Sequence, residues 1–312
     1  MKKITLVLSI VVLLTAFAKK TEAQFYFYDN KYYDNPWLFE LGGSVGAMNC
    51  LTDIGGNKGI GKKFVKDLNF GKTHPSGSVY ISAGYKYAVS LRAEASFGQV
   101  SASDAVLQSV KSTTFGRYET NLSFRSNISE FMLAAEIHPL FIFIDKNNED
   151  WTPPMLSPYL LAGIGFFHFN PQANYNGKWI DLQPLSTEGQ GFAEYPDRKT
   201  YSLSQINIPV GIGVRYELNS VLNLRAEFVY RILNTDYLDD VSTNYINPIV
   251  FQNYFTGNKL NNALLLNNRQ YELDPTHITQ EGDQRGNPKN KDTYFSFNIK
   301  IGFIFGRENI KR

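Results

Sequence analysis

One cysteine, Cys50, stands in a chain of 312 residues, so no intramolecular disulfide framework can hold this fold. Four histidines, His74, His138, His168 and His277, are scattered with neither a His-Glu-x-x-His nor a Cys-x-x-Cys spacing, and no metal centre is expected. Charge is also nearly balanced, at 31 basic and 29 acidic residues, which excludes the strongly basic surface that nucleic acid requires. Past the N-terminus there is no apolar run approaching the roughly 20 residues of a membrane-spanning helix.

At the N-terminus, Lys2 and Lys3 precede an apolar run from Ile4 to Ala18 and the small-residue site Thr21-Glu22-Ala23, the pattern of a secretory signal cleaved after Ala23. A leader of 1–23 and a Tyr-rich arm of 24–36 are therefore expected, then a body of 37–305 and a tail of 306–312. Cys50 lies too far downstream to be a lipidation site. Removing Lys2, Lys3, Lys19, Lys20 and Glu22 leaves the mature chain at a net charge of −1. The 19 Tyr, 23 Phe and 24 Gly of the full sequence suit short strands with aromatic ends.

Period-two alternation predicts strands near 37–48, 78–88, 90–100, 128–138, 158–169, 205–217, 222–233 and 293–305. In the last, Phe295, Phe297, Ile299, Ile301, Phe303 and Phe305 share one face, opposite Tyr294, Ser296, Asn298, Lys300 and Gly302. Leu-Arg-Ala-Glu occurs twice, at 91–94 and 224–227, each time after a tight turn. The turns near Val89 and Asn219 are tight and the 139–157 link is moderate, whereas 49–77, 101–127, 170–204 and 234–292 are long. That rhythm predicts an all-β fold: an eight-stranded antiparallel transmembrane β-barrel of the outer membrane, with periplasmic termini and four long outer loops. A secreted β-sandwich is the competing architecture.

An eight-stranded barrel is only wide enough for side chains to fill. The inner face is expected to gather Glu40, Lys86, Arg92, Glu94, Glu130, Glu136, Arg215, Arg225, Glu227, Arg231 and Lys300 into a paired network that plugs the lumen. Inward glycines at 42, 46, 163, 165, 211 and 213 leave room for a narrow water path. Trp37, Tyr85, Tyr87, Tyr216 and Phe305 are expected to form the periplasmic girdle, with Phe97, Phe166, Tyr230 and Phe295 opposite.

Other motifs read more plainly. Gly56 to Lys63 resembles a phosphate loop, but Lys63 replaces its Ser or Thr and no βαβ unit surrounds it, so a surface loop is expected. No nucleophile motif assembles His168, Ser186 and Asp236, so neither catalysis nor a cofactor is expected. Asp236 to Asp240 reads as a solvated loop root before a cation site, and 244–290 as a mobile outer loop before a docking surface.

Longer runs carry a resemblance: Leu51 to Gly56, Leu122 to Ser126, Pro158 to Pro171, Leu185 to Gly191, Ile208 to Val214 and Thr235 to Thr243. Together they resemble the PorG-like outer-membrane barrels of Bacteroidota, a family often described only as a domain of unknown function. Ser186 departs from the small residue, such as Gly, expected at its position. The resemblance spans nearly the whole mature chain and implies a non-enzymatic anchor or accessory component of the type IX protein secretion system, tethering periplasmic machinery proteins. It brings no catalytic residues. The alternative is a surface adhesin or ligand-binding barrel using its outer loops. Apart from lipid, the anchor would meet partners through the Tyr-rich arm and the turn holding Trp151.

Overall fold

The computed structural model describes residues 35–57, 68–114, 116–143, 154–276 and 279–306. The expected leader, nearly all of the Tyr-rich arm, Lys58 to Lys63, Trp151, His277 and residues 307–312 lie outside them.

The strands are β1 (Trp37–Leu51), β2 (His74–Tyr85), β3 (Val89–Ser103), β4 (Ser123–Ile137), β5 (Leu156–His168), β6 (Pro171–Tyr175), β7 (Lys178–Asp181), β8 (Ser204–Glu217), β9 (Leu222–Leu233) and β10 (Thr293–Phe305). Eight of them run in the order β3-β2-β1-β10-β9-β8-β5-β4, and β4 pairs back onto β3. The antiparallel ring is closed, which removes the free edges a sandwich would keep. Closure joins the first strand to the last, with Glu40 opposite Ile304 and Leu51 opposite Thr293. The small hairpin β6–β7 leaves the ring and extends β4 upward, placing Gln172 opposite Arg125.

The narrow end of the connectivity is tight. Residues 86–88 link β2 to β3, with the Ala88 N–H donating to the Tyr85 carbonyl over 3.1 Å. At 218–221 the Asn219 side chain accepts from the Val221 and Leu222 amides, at 2.9 and 2.8 Å, and so fixes an Asx turn. A short helix α1 (Pro139–Phe143) follows β4 and sends Phe141 into the barrel mouth, where it packs with Leu38, Tyr87 and Ile304.

Two expectations fail here. Lys86 is not in the lumen, and Tyr87 is not a girdle residue. The turn forces both into left-handed backbone, at φ 52° and 61°, so alternation stops at Tyr85. Lys86 is exposed, with its ammonium 5.4 Å from the Tyr85 ring, whereas Tyr87 swings inward and stacks on Phe141 at 5.6 Å. The other four girdle residues, Trp37, Tyr85, Tyr216 and Phe305, are exposed on the outside wall, and the Trp37 and Tyr85 rings touch at 5.1 Å.

The wide end differs more. β1, β3 and β4 each run to 15 residues, longer than the roughly 9 to 11 a span needs, so the wall rises beyond it. The 244–290 tract, expected to be mobile, holds two helices, α2 (Phe251–Tyr254) and α3 (Gly257–Asn267), among its described residues. It packs with the other outer loops around Ile54, Leu122, Phe169, Leu185, Phe192, Leu238, Ile246, Phe251 and Leu266. Cys50 is a buried free thiol in this same core. Enough apolar residues are spread through the loops to build a second core above the barrel, a lid that shields its own backbone.

Candidate functional sites: the lumen and the outer cap

The wall is inverted relative to a water-soluble protein. Val45, Ile81, Phe97, Phe131, Ile164, Ile206, Ile212, Phe297 and Phe303 are exposed on the outside, while Arg92, Glu136, Glu227 and Lys300 are buried within. An apolar belt around a whole barrel far exceeds the few hundred Å² that a soluble surface carries. Hydrocarbon must cover it. The protein is an outer-membrane β-barrel. No described helix is long and apolar enough to cross a membrane, so the strands make the span.

Comparison with solved structures finds Ail, the attachment invasion locus protein of Yersinia pestis, at 8% identity and TM-score 0.37, covering 86% of this chain and 99% of that one. The N-terminal β-barrel domain of Pseudomonas aeruginosa OprF matches at 10% identity and TM-score 0.31, covering 87% and 98%. Neisserial surface protein A matches at 10% and 0.32, covering 86% and 96%. No family model and no curated sequence matches the chain. The fold assignment therefore rests on the chain's own strand pairing and inverted wall.

Inside the barrel the two Leu-Arg-Ala-Glu copies meet. Arg92 of the first contacts Glu227 of the second at 2.7 Å, and also Glu94 at 3.1 Å and Glu136 at 2.8 Å. Arg225 bridges Glu136, at 3.0 Å, and Glu40. Lys300 joins Glu94 and Glu227 at 2.6 and 3.0 Å. Lys300 and Arg225 are cross-strand neighbours, a repulsive pairing taken alone, but each is drawn to different carboxylates. One level outward, Arg231 pairs with Glu130 at 3.0 Å, and Asn207 donates to the same carboxylate at 2.7 Å. Arg215 is buried lower down, its guanidinium 5.6 Å from the Phe141 ring. Of the eleven residues expected in the lumen, only Lys86 is outside it.

Sequence reasoning missed the two tyrosines that complete the plug. Tyr80 donates to Glu40, and Tyr159 donates to Glu227 at 2.7 Å. Their rings lie where inward glycines left space: a Cβ built on Gly213 would stand 2.3 Å from Tyr159, and one on Gly42 would stand 2.6 Å from Tyr80. Gly42 and Gly213 thus make room for rings, while Gly46, Gly163, Gly165 and Gly211 lie against backbone or side-chain atoms of neighbouring strands. The signal was present, since both tyrosines fall on inward positions of their strands.

The cap is latched by carboxylates that accept from backbone amides. Glu188 accepts from the Ser242 and Thr243 amides, at 3.0 and 2.9 Å, and from Arg285 at 2.9 Å. Asp240 accepts from Thr187 at 2.5 Å and Tyr201 at 2.6 Å. Asp239 accepts from the Ile54 amide at 3.1 Å, and Asp104 takes the Gly55 and Leu122 amides, both at 2.8 Å. The Asp236 to Asp240 run is thus not a solvated loop root: Asp236, Asp239 and Asp240 are buried, with Asp239 accepting from the Ile54 and Val241 amides and Asp240 from the Thr187 and Tyr201 hydroxyls. The runs 51–56, 185–191 and 235–243 that carried the resemblance converge on this latch. Ser186 takes a left-handed φ of 46°, a conformation that glycine adopts without steric cost.

His168, Ser186 and Asp236 are not brought together: His168 bonds Ser204 over 2.9 Å on the exposed wall, while Asp236 is inside the cap. His74 and His138 are likewise occupied by Ser101 and Ser157, at 2.6 and 3.1 Å. Among the described residues, no three His, Cys, Asp or Glu side chains converge as metal ligands.

Proposed function

We propose that the protein is a non-conducting, non-enzymatic scaffold of the outer membrane that serves as an anchor or accessory component of type IX protein secretion. The observation that carries this reading is the filled lumen. Arg92, Arg225 and Lys300, interleaved with four glutamates and joined by two tyrosine rings, occupy the interior of a barrel only wide enough for side chains, which supports a non-conducting reading with the rims as its working surfaces. The secretion role comes from the resemblance of the 185–191 and 235–243 runs to PorG-like barrels. At the periplasmic rim, α1 fills the mouth with Phe141 while Leu140 and Ile142 remain exposed, an apolar surface suited to a protein partner.

The second reading, a surface adhesin or receptor, is favoured by the order of the cap. Affinity capture from native outer membranes separates the two. The anchor reading expects periplasmic secretion proteins to be lost when residues 139–155 are replaced by a short turn, and kept when residues 248–276 are replaced. The reverse pattern refutes the anchor and supports the receptor.

A further inference from the structure

Along the outside of β4 the side chains run Ile137, Leu133, Phe131 and then Ser129, Asn127 and Arg125, so the apolar belt ends between Phe131 and Ser129. On β5 the change falls at the same register, Phe166 giving way to His168, and on β3 it falls two residues further out, Phe97 opposite Ser129 giving way to Gln99 opposite Asn127. Six residues at about 3.4 Å each, on a strand tilted by about 40°, raise Arg125 about 15 Å above Phe131. A glycolipid whose phosphorylated sugars stand above the hydrocarbon would meet the wall at that height.

Arg125 is held for such a meeting. Its guanidinium carbon lies 3.7 Å from the centroid of the Trp179 ring, and its Nε donates to Gln172 Oε1 at 3.1 Å. Stacking covers one face and Gln172 takes one edge, leaving the terminal nitrogens as a planar fork. Unlike Arg92, Arg225 and Arg231 in the lumen, Arg125 has no carboxylate partner among the described residues. Asp181 shares its face, but the carboxylate is turned onto Gln172 and Asn170, at 2.7 and 3.0 Å. Exposed Lys178, at the tip of the same hairpin, adds a second positive charge. Trp179 itself is 43% exposed, with its ring at the rim of the site.

We propose that Arg125, Trp179 and Gln172 form a binding site for a phosphate group on the headgroup of an outer-leaflet glycolipid. A fixed guanidinium fork matches two phosphate oxygens, and an indole beside it suits the sugar that carries the phosphate. This hairpin, which plays no part in closing the ring, then serves to seat the barrel against its own lipid. The site is independent of the secretion reading, since it lies on the outer wall.

The test uses the full-length protein folded in mixed micelles, with native mass spectrometry reading the retention of bisphosphorylated lipid A against its dephosphorylated form. The wild type should retain the phosphorylated form about tenfold better, and Arg125→Gln should abolish that preference. Arg125→Lys, which keeps the charge without the fork, should keep part of it. All three should still shift on a heat-modifiability gel, because Arg125 lies outside both cores. Equal retention of the two lipids by the wild type, or an undiminished preference in Arg125→Gln, overturns the site. Displacement of the lipid by an equal concentration of inorganic phosphate overturns its assignment to a headgroup.

Discussion

Arg225→Met is the most informative perturbation of the lumen, because Arg225 and Arg92 look alike in sequence but differ in what they leave behind. Without Arg92, each neighbouring carboxylate keeps a cation: Glu136 keeps Arg225, and Glu94 and Glu227 keep Lys300. Without Arg225, Glu40 is left with only Tyr80 and Asn223 as hydrogen-bond donors. Removing one partner of a buried ion pair costs about 3 to 5 kcal/mol. Arg92→Met belongs near the lower figure, about 3 kcal/mol, and Arg225→Met near the upper, about 5 kcal/mol. Neutralising the orphan as well, in Arg225→Met with Glu40→Gln, should recover about 2 kcal/mol of that loss. Equilibrium urea unfolding of the wild type and the three variants folded into phospholipid vesicles, read by the gel shift of folded protein, gives these values. If Arg225→Met costs no more than Arg92→Met, or if Glu40→Gln deepens its loss, the pairing described for the lumen is wrong.

Gly213→Ala should destabilise by about 1 to 3 kcal/mol in the same assay, since the new methyl meets the Tyr159 ring in a filled interior; a neutral result would mean the ring is not there. The cap should respond to pH. Burial pushes the Asp240 carboxyl up to about 7 against the pull of Arg285, and pushes Asp104 up to about 6 despite its hydrogen-bond donors. Both folded values lie above the ordinary aspartate value of 3.8, so their contribution to cap stability is full below about pH 4 and is lost as pH rises through 6 to 7. Hydrogen exchange of residues 185–191 and 235–243 should accelerate from pH 5 to 8 beyond the intrinsic trend, and Asp240→Asn should flatten that excess.

The barrel was legible because a strand's period of two is a local property: Phe295 to Phe305 announces its lipid face without knowledge of any neighbour. The charges of the lumen were legible for the same reason, as they are the residues that alternation leaves inside. Which glutamate meets which arginine was not, because the partners of Arg92 lie on β3, β4 and β9 and depend on how the ring closes. Lys86 and Tyr87 were misplaced because a three-residue turn with two left-handed residues interrupts the alternation without a glycine to mark it. The cap was least legible. Its core draws single apolar residues from four loops, and its buried acids are spaced like those of a solvated loop, so nothing periodic betrays either.

The join between β1 and β10 bears on how the protein can be made. Lys300 sits on the final strand, and it pairs with both Glu94 of β3 and Glu227 of β9, the carboxylates that Arg92 also contacts. Until that strand arrives, the earlier strands hold an excess of acid with no ring to enclose it. Insertion therefore ends in a single event that seals the wall and neutralises the interior together. A chain stopped short of Thr293 would lack both, leaving two open edges and an unbalanced lumen for quality control to find.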